Sequence, residues 1–134
     1  MLCLQHLGVW LYNILEGDMV NIVCFKGEDC KIAADIALKN RLYVSGWSLS
    51  GYLIDVRKGR KTDTRIALAY KDNKPVGVSL QMSYGLTMCF TKKAYRRQGI
   101  GRQLTKCFKN KSSYGTWGLD GAEYFWKNVG YQYK

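Results

Sequence analysis

The chain has 134 residues, 47% of them hydrophobic and 23% charged, with a single proline. That length suits one domain around one core, and no apolar run approaches a membrane span, so no membrane association is expected. Twenty-one Lys and Arg against ten Asp and Glu leave a net charge of +11. Such a surplus either draws nucleic acid or an acidic partner, or is solvated charge that maintains solubility.

Residues 1–18 read as an N-terminal extension outside the core, and residues 19–134 as a single domain. The apolar stretch Leu7–Tyr12 lacks a basic lead and a small-residue cleavage site, so a signal peptide is not expected there. Met19–Phe25 predicts a first strand, with Val20, Ile22 and Cys24 alternating against Asn21, Val23 and Phe25. A helix opens at Gly27-Glu28-Asp29, takes Ile32, Ala33, Ile36 and Ala37 as its apolar face, and ends near Asn40. A second helix spans Ser45–Val56 with Leu49, Leu53 and Val56 on one side. Arg57–Lys61 is a basic loop.

Thr64–Lys71 and Pro75–Met82 read as two strands, joined by Asp72-Asn73-Lys74 into an antiparallel hairpin. Gly85–Thr91 is a further strand, and Gly99–Asn110 a helix. Lys111-Ser112-Ser113 is a turn, Tyr114–Leu119 a short strand, and Asp120–Val129 a final amphipathic helix. Asp120 suits its N-cap and Gly130 its stop.

The five cysteines are scattered, and only His6 accompanies them. They read as small buried hydrophobes in a reducing, cytoplasmic setting, with no metal site.

The stretch Tyr95-Arg96-Arg97-Gln98-Gly99-Ile100-Gly101-Arg102 is the odd one. Glycine in a helix costs about 0.5–1 kcal/mol relative to alanine, and here two stand at a helix start. Three arginines add positive charge to a helix end that is already positive. A bound polyanion resolves both oddities, because bare backbone approaches phosphate oxygens closely while amides donate and arginines neutralise. A third glycine near 104, needed for a dinucleotide fingerprint, is absent, as is the Gly-Lys-Ser/Thr of a Walker loop.

Arg-x-x-Gly-x-Gly at Arg96, Gly99 and Gly101 resembles the acyl-CoA pyrophosphate loop of the GCN5-related N-acetyltransferase (GNAT) family, Gln/Arg-x-x-Gly-x-Gly/Ala. Two further stretches fit the same family in the same order. Asp72-Asn73-Lys74-Pro75-Val76-Gly77 resembles its central hairpin. Ala122-x-x-Phe125-Trp126-Lys127-Asn128-Val129-Gly130-Tyr131 resembles its closing helix, Ala-x-x-Phe-Tyr-x-x-Leu-Gly-Phe.

The resemblance implies an α/β (α+β) GNAT fold. This is a mixed, mostly antiparallel twisted sheet with a V-shaped splay between the fourth and fifth strands, flanked by about four helices. It implies an acyltransferase that moves acetyl from acetyl-CoA, its co-substrate, to an amine borne by a protein, a small molecule or RNA. Pantetheine would lie along Cys89, Phe90 and Thr91 like an added strand. Its pyrophosphate would sit on Arg96, Arg97, Gln98, Gly99, Ile100, Gly101 and Arg102. The family's phenolic acid falls at Trp126, which has no useful proton to give. Tyr124, about 200° round the helix, and Asp120 are left as the weaker catalytic candidates. That departure favours, as the alternative, a silent acyl-CoA-binding module. The charge favours a nucleic-acid-directed transferase. The short tail after Tyr131 leaves an open sheet edge that a homodimer partner would complete.

Overall fold

The computed structural model describes residues 2–6, 9–13, 20–45, 48–61, 63–110, 113–115 and 122–133. In chain order these form β1 (Leu2–His6), β2 (Val9–Asn13), β3 (Asn21–Lys26), α1 (Cys30–Lys39), α2 (Ser48–Arg57), β4 (Arg65–Lys71), β5 (Lys74–Gln81), β6 (Leu86–Thr91), α3 (Ile100–Lys106), β7 (Tyr114–Gly115), α4 (Ala122–Asn128) and β8 (Gln132–Tyr133). Strands β3 to β8 make one six-stranded sheet in sequential order. Its pairings are antiparallel from β3 to β6 and parallel from β6 to β8. Ahead of β3, β1 and β2 pair antiparallel as a two-stranded sheet of their own.

Alternation along the strands gives the sheet two apolar faces. Val23, Phe25, Ile66, Leu68, Val78 and Leu80 meet α1 and α2 in the larger core. Ala67, Ala69 and Val76 meet Ile100, Leu104 and Phe108 in the smaller. Val76 joins the α3 side because the β4–β5 register shifts at Ala69/Tyr70, a bulge that re-aims one side chain. Asp72 and Asn73, both at positive φ (52° and 63°), close the hairpin as a two-residue turn.

On α2, Leu49, Leu53 and Val56 are buried as their spacing predicts, and Gly51 sits in open space. On α1 the buried set is Cys30, Ala33, Ala34 and Ala37. Ile32, expected on the apolar face, is 42% exposed. The helix is rotated so that alanines meet the sheet, and small residues allow the close approach. Cys24 also departs from its reading as a buried hydrophobe, being exposed on β3.

The tail does supply a last strand. β8 pairs in parallel with β7 through Tyr114↔Gln132 and Gly115↔Tyr133, which removes the reason for expecting a partner strand there. The third helix ends at Lys106, short of Asn110, with Phe108 buried in the turn that follows. The turn Lys111-Ser112, the strand continuation 116–119 and the cap position Asp120 lie outside the described residues.

Candidate functional site

Strand β6 pairs with β5 from Thr87 to Thr91, against Gln81 to Gly77. On its other side it meets β7 only at Leu86↔Tyr114 and Thr87↔Gly115. From Met88 onward that edge has no strand beside it among the described residues, and this opening is the splay. Cys89, Phe90 and Thr91 lie along it, with no strand paired on that side among the described residues.

The chain leaves β6 through a short 3-10 turn, Lys93–Tyr95, and then takes two left-handed residues, Arg97 (φ 65°) and Gly99 (φ 81°). Successive turns of this kind curl the backbone into a concavity of amides suited to anions. The first helical bond runs from the Gln103 amide to the Gly99 carbonyl (3.1 Å). The amides of Ile100, Gly101 and Arg102 are therefore left without helical acceptors. Ile100 itself is buried and anchors α3 to the sheet, so it contributes backbone only.

The side chains divide the work. Arg96 donates from Nε to the Thr91 carbonyl (2.8 Å) and lays its guanidinium over the Phe90 ring (5.6 Å), which ties the loop to the end of β6. Gln98 accepts from Lys71 Nζ (2.6 Å), which docks the loop against the β4–β5 hairpin. Arg97 and Arg102 are exposed. Among the described residues the ion pairs involve only Glu28, Asp35 and Asp55, and neither Arg97 nor Arg102 takes part in one.

The two glycines have different reasons. A Cβ at Gly99 would meet nothing within 4 Å, so its bareness serves the left-handed φ. Gly101 has no such φ. A Cβ there would come within 2.9 Å of Phe125 Cε1 and 3.9 Å of Cys89 Sγ. Gly101 thus admits the Phe125 ring of α4, a packing role that the sequence reading assigned wholly to phosphate approach. Burial pushes the Cys89 thiol up to about 12, so at neutral pH it is an uncharged neighbour of this contact.

Trp126, at the position of the family phenol, is buried. Its indole lies on Gly115 of β7, edge-on to Phe125 (5.0 Å) and tilted against Tyr131 (5.2 Å). Tyr124, one of the two catalytic candidates, is 78% exposed on α4, and Phe125 rather than Tyr124 is the α4 side chain that meets Gly101.

Sequence reasoning missed a buried polar knot at the closed end of the splay. Gln81 Nε2 donates to Thr87 Oγ1 (2.9 Å) and Ser113 Oγ (3.0 Å), while its Oε1 accepts from Arg65 (2.5 Å). The Ser113 hydroxyl also accepts the Asn110 amide (2.8 Å). One side chain thereby binds β4, β6 and the entry to β7. A lone glutamine ending an apolar strand was the available signal. No three His, Cys, Asp or Glu side chains converge among the described residues. No helix among them is long and apolar enough to cross a membrane.

The sequence model of the GNAT acetyltransferase domain matches residues 53–117, which run from α2 through the hairpin, β6 and the loop to β7. Over those residues the chain is similar to the GNAT acetyltransferase domain. Solved structures similar to it include the aminoglycoside N-acetyltransferase AAC(6')-Iy in complex with CoA. That structure superposes with TM-score 0.59 at 12% identity, over 85% of this chain and 88% of that one. The same enzyme with a bisubstrate analogue, CoA-S-monomethyl-acetylneamine, gives 0.60 at 12% identity, over 85% and 91%. Glucosamine-6-phosphate N-acetyltransferase from Arabidopsis thaliana gives 0.51 at 14% identity, over 87% and 93%. At such identities the likeness establishes the GNAT fold and nothing about the acceptor. No curated protein sequence matches the chain.

Proposed function

We propose that this GNAT chain is a cytoplasmic N-acetyltransferase that transfers acetyl from acetyl-CoA to an amine by direct attack. The observation that carries this reading is the end of β6. An open strand edge leads there into a left-handed loop with orphan amides and two exposed arginines that pair with no carboxylate among the described residues. Pantetheine adds to the edge at Cys89–Thr91, and the pyrophosphate takes the amides from Arg97 to Arg102. Arg97 and Arg102 supply charge-assisted hydrogen bonds, while Arg96 holds the loop in place.

In the reaction the amine nitrogen bonds to the acetyl carbon, the carbon–sulfur bond breaks, and the proton lost by the amine ends on the departing thiolate. A main-chain amide of the open β6 edge is the donor for the oxyanion. Trp126 holds the place of the phenol and cannot deliver the proton, so water carries it, and positioning of the two substrates supplies much of the rate. The acetyltransferase domain begins near β3, with residues 1–18 appended to it.

Thiol release from acetyl-CoA across a mixed panel of amines, with calorimetry of CoA binding, tests this. Heat with CoA and turnover of some amine are expected. Absence of heat with CoA and its thioesters ends the reading. The burial of Trp126 favours one rival, a silent acyl-CoA-binding module, and CoA heat without turnover of any amine would select it.

A further inference from the structure

The end of the sheet opposite the Arg96–Arg102 loop carries a second concentration of unusual side chains. The register Arg65↔Gln81 sets the loop that follows α2 beside the turn Met82–Gly85. Tyr114, opening β7, donates its amide to the Gly85 carbonyl (3.1 Å) and so joins the same turn. Tyr84, at the tip, is 55% exposed, an unusual position for a large ring. Tyr52, Tyr114 and Asp63 stand near its phenol. Tyr52 is held by the larger core beneath it, and Lys61 Nζ stands 4.9 Å from the centre of its ring.

The charge around these rings is not balanced. Arg57 leans on Asp35 (3.8 Å) and Arg60 on Asp55 (3.5 Å), while neither Lys58 nor Lys61 has a carboxylate partner among the described residues. The phosphates of a bound CoA would answer only the cations at the other end of the sheet. With a net charge of +11, a polycationic acceptor would be repelled before reaching this face. Flat, partly exposed rings beside cations fit a ligand with repeating bases and phosphates. Stacking needs no particular base, and each phosphate displaced from its counterions adds affinity.

We propose that Tyr52, Tyr84 and Tyr114, with Lys58 and Lys61 at their edge, bind a single-stranded nucleic-acid segment, its bases on the rings and its phosphates on the lysines. The site stands on its own geometry. That the segment carries the acceptor amine rests on the acetyltransferase reading.

The test is fluorescence anisotropy of a labelled oligoadenylate RNA of about twelve nucleotides, within the range one such groove spans, against the full chain at several salt concentrations. The parent should bind with an affinity that falls steeply with salt. Tyr84→Ala should weaken binding about tenfold, in line with the loss of one stacked base, with its thermal midpoint unchanged because the ring is half out in solvent. Lys61→Gln should lower the logarithmic salt slope by about 0.7, one phosphate on a single strand. Saturating CoA should not displace the RNA. The proposal is overturned if the parent does not bind, if Tyr84→Ala binds as tightly as the parent, or if CoA competes. Calorimetry of the parent with CoA is run alongside. RNA binding without CoA heat would sink the acetyltransferase reading and leave this site standing, and CoA heat without RNA binding would do the reverse.

Discussion

Gly99 shows how one residue's backbone can carry a function that its surroundings do not explain. Its φ of 81° lies where an L side chain is strained, yet a Cβ there would touch nothing. The strain of a non-glycine residue in the left-handed region is about 1–2 kcal/mol, and the loop can relieve it only by turning its amides. Gly99→Ala should therefore raise the Kd for CoA about tenfold with little change in thermal midpoint. Asn tolerates this region better than other residues, so Gly99→Asn should fall between parent and alanine variant although its side chain is larger. Calorimetry on the three proteins checks the order. If the asparagine variant bound worse than the alanine variant, space rather than φ would be the reason for glycine, and the loop geometry given above would be wrong. Gly101 should respond in the opposite sense, losing stability as Phe125 is displaced.

At the level of elements, β7 and α4 are joined face to face. A Cβ on Gly115 would fall inside the Trp126 indole, so strand and helix approach as closely as backbone allows. Gly115→Ala should overpack this seam and cost about 1–3 kcal/mol. Trp126→Ala should cost about 3–5 kcal/mol through the cavity it leaves. The double variant should cost clearly less than the sum, because the new methyl occupies part of that cavity. Urea denaturation of the four proteins measures the coupling, and simple additivity would show that the two residues do not share a seam. Local pattern foretold much of the architecture around this seam. Leu49, Leu53 and Val56 mark one side of α2 at helical spacing, and Asp72-Asn73 closes the hairpin with residues that accept positive φ. The loop at Gly99 was legible because two glycines and three arginines conflict with an ordinary helix start. Contacts between distant parts were not. Nothing local tells that Gly101 receives Phe125, that Gln81 ties β6 to Ser113, or that α1 turns its alanines rather than Ile32 inward. In each case the decision is made by the partner element.

Over the whole molecule, burial of weak acids links stability to alkaline pH. Cys30, which donates its thiol to the Thr64 carbonyl (3.3 Å), is pushed up by burial to about 11 from 9.0. Cys89 rises to about 12 from 9.0, and Tyr131, donating to the Thr105 carbonyl, to about 12 from 10.0, both through burial. Each is neutral in the fold at a pH where the unfolded chain has already lost its proton. The unfolded state then binds fewer protons, so stability is fully present below about pH 9 and falls as pH rises toward 11–12. A tenfold change in acidity is worth about 1.4 kcal/mol, so losing these contributions removes a sizeable part of the roughly 5–15 kcal/mol that holds a small domain together. Lysine deprotonation works against this trend, since a net charge of +11 repels itself and relaxes as lysines lose charge. Salt of about 0.5 M screens that repulsion and isolates the buried acids. Urea midpoints under reducing conditions should then be flat from pH 7 to 9 and drop steeply by pH 11. Cys30→Ala should start lower from lost packing but decline less steeply over the same interval. A midpoint constant through pH 11, or an equal slope in the variant, would show that these thiols and the phenol are not held out of water as described.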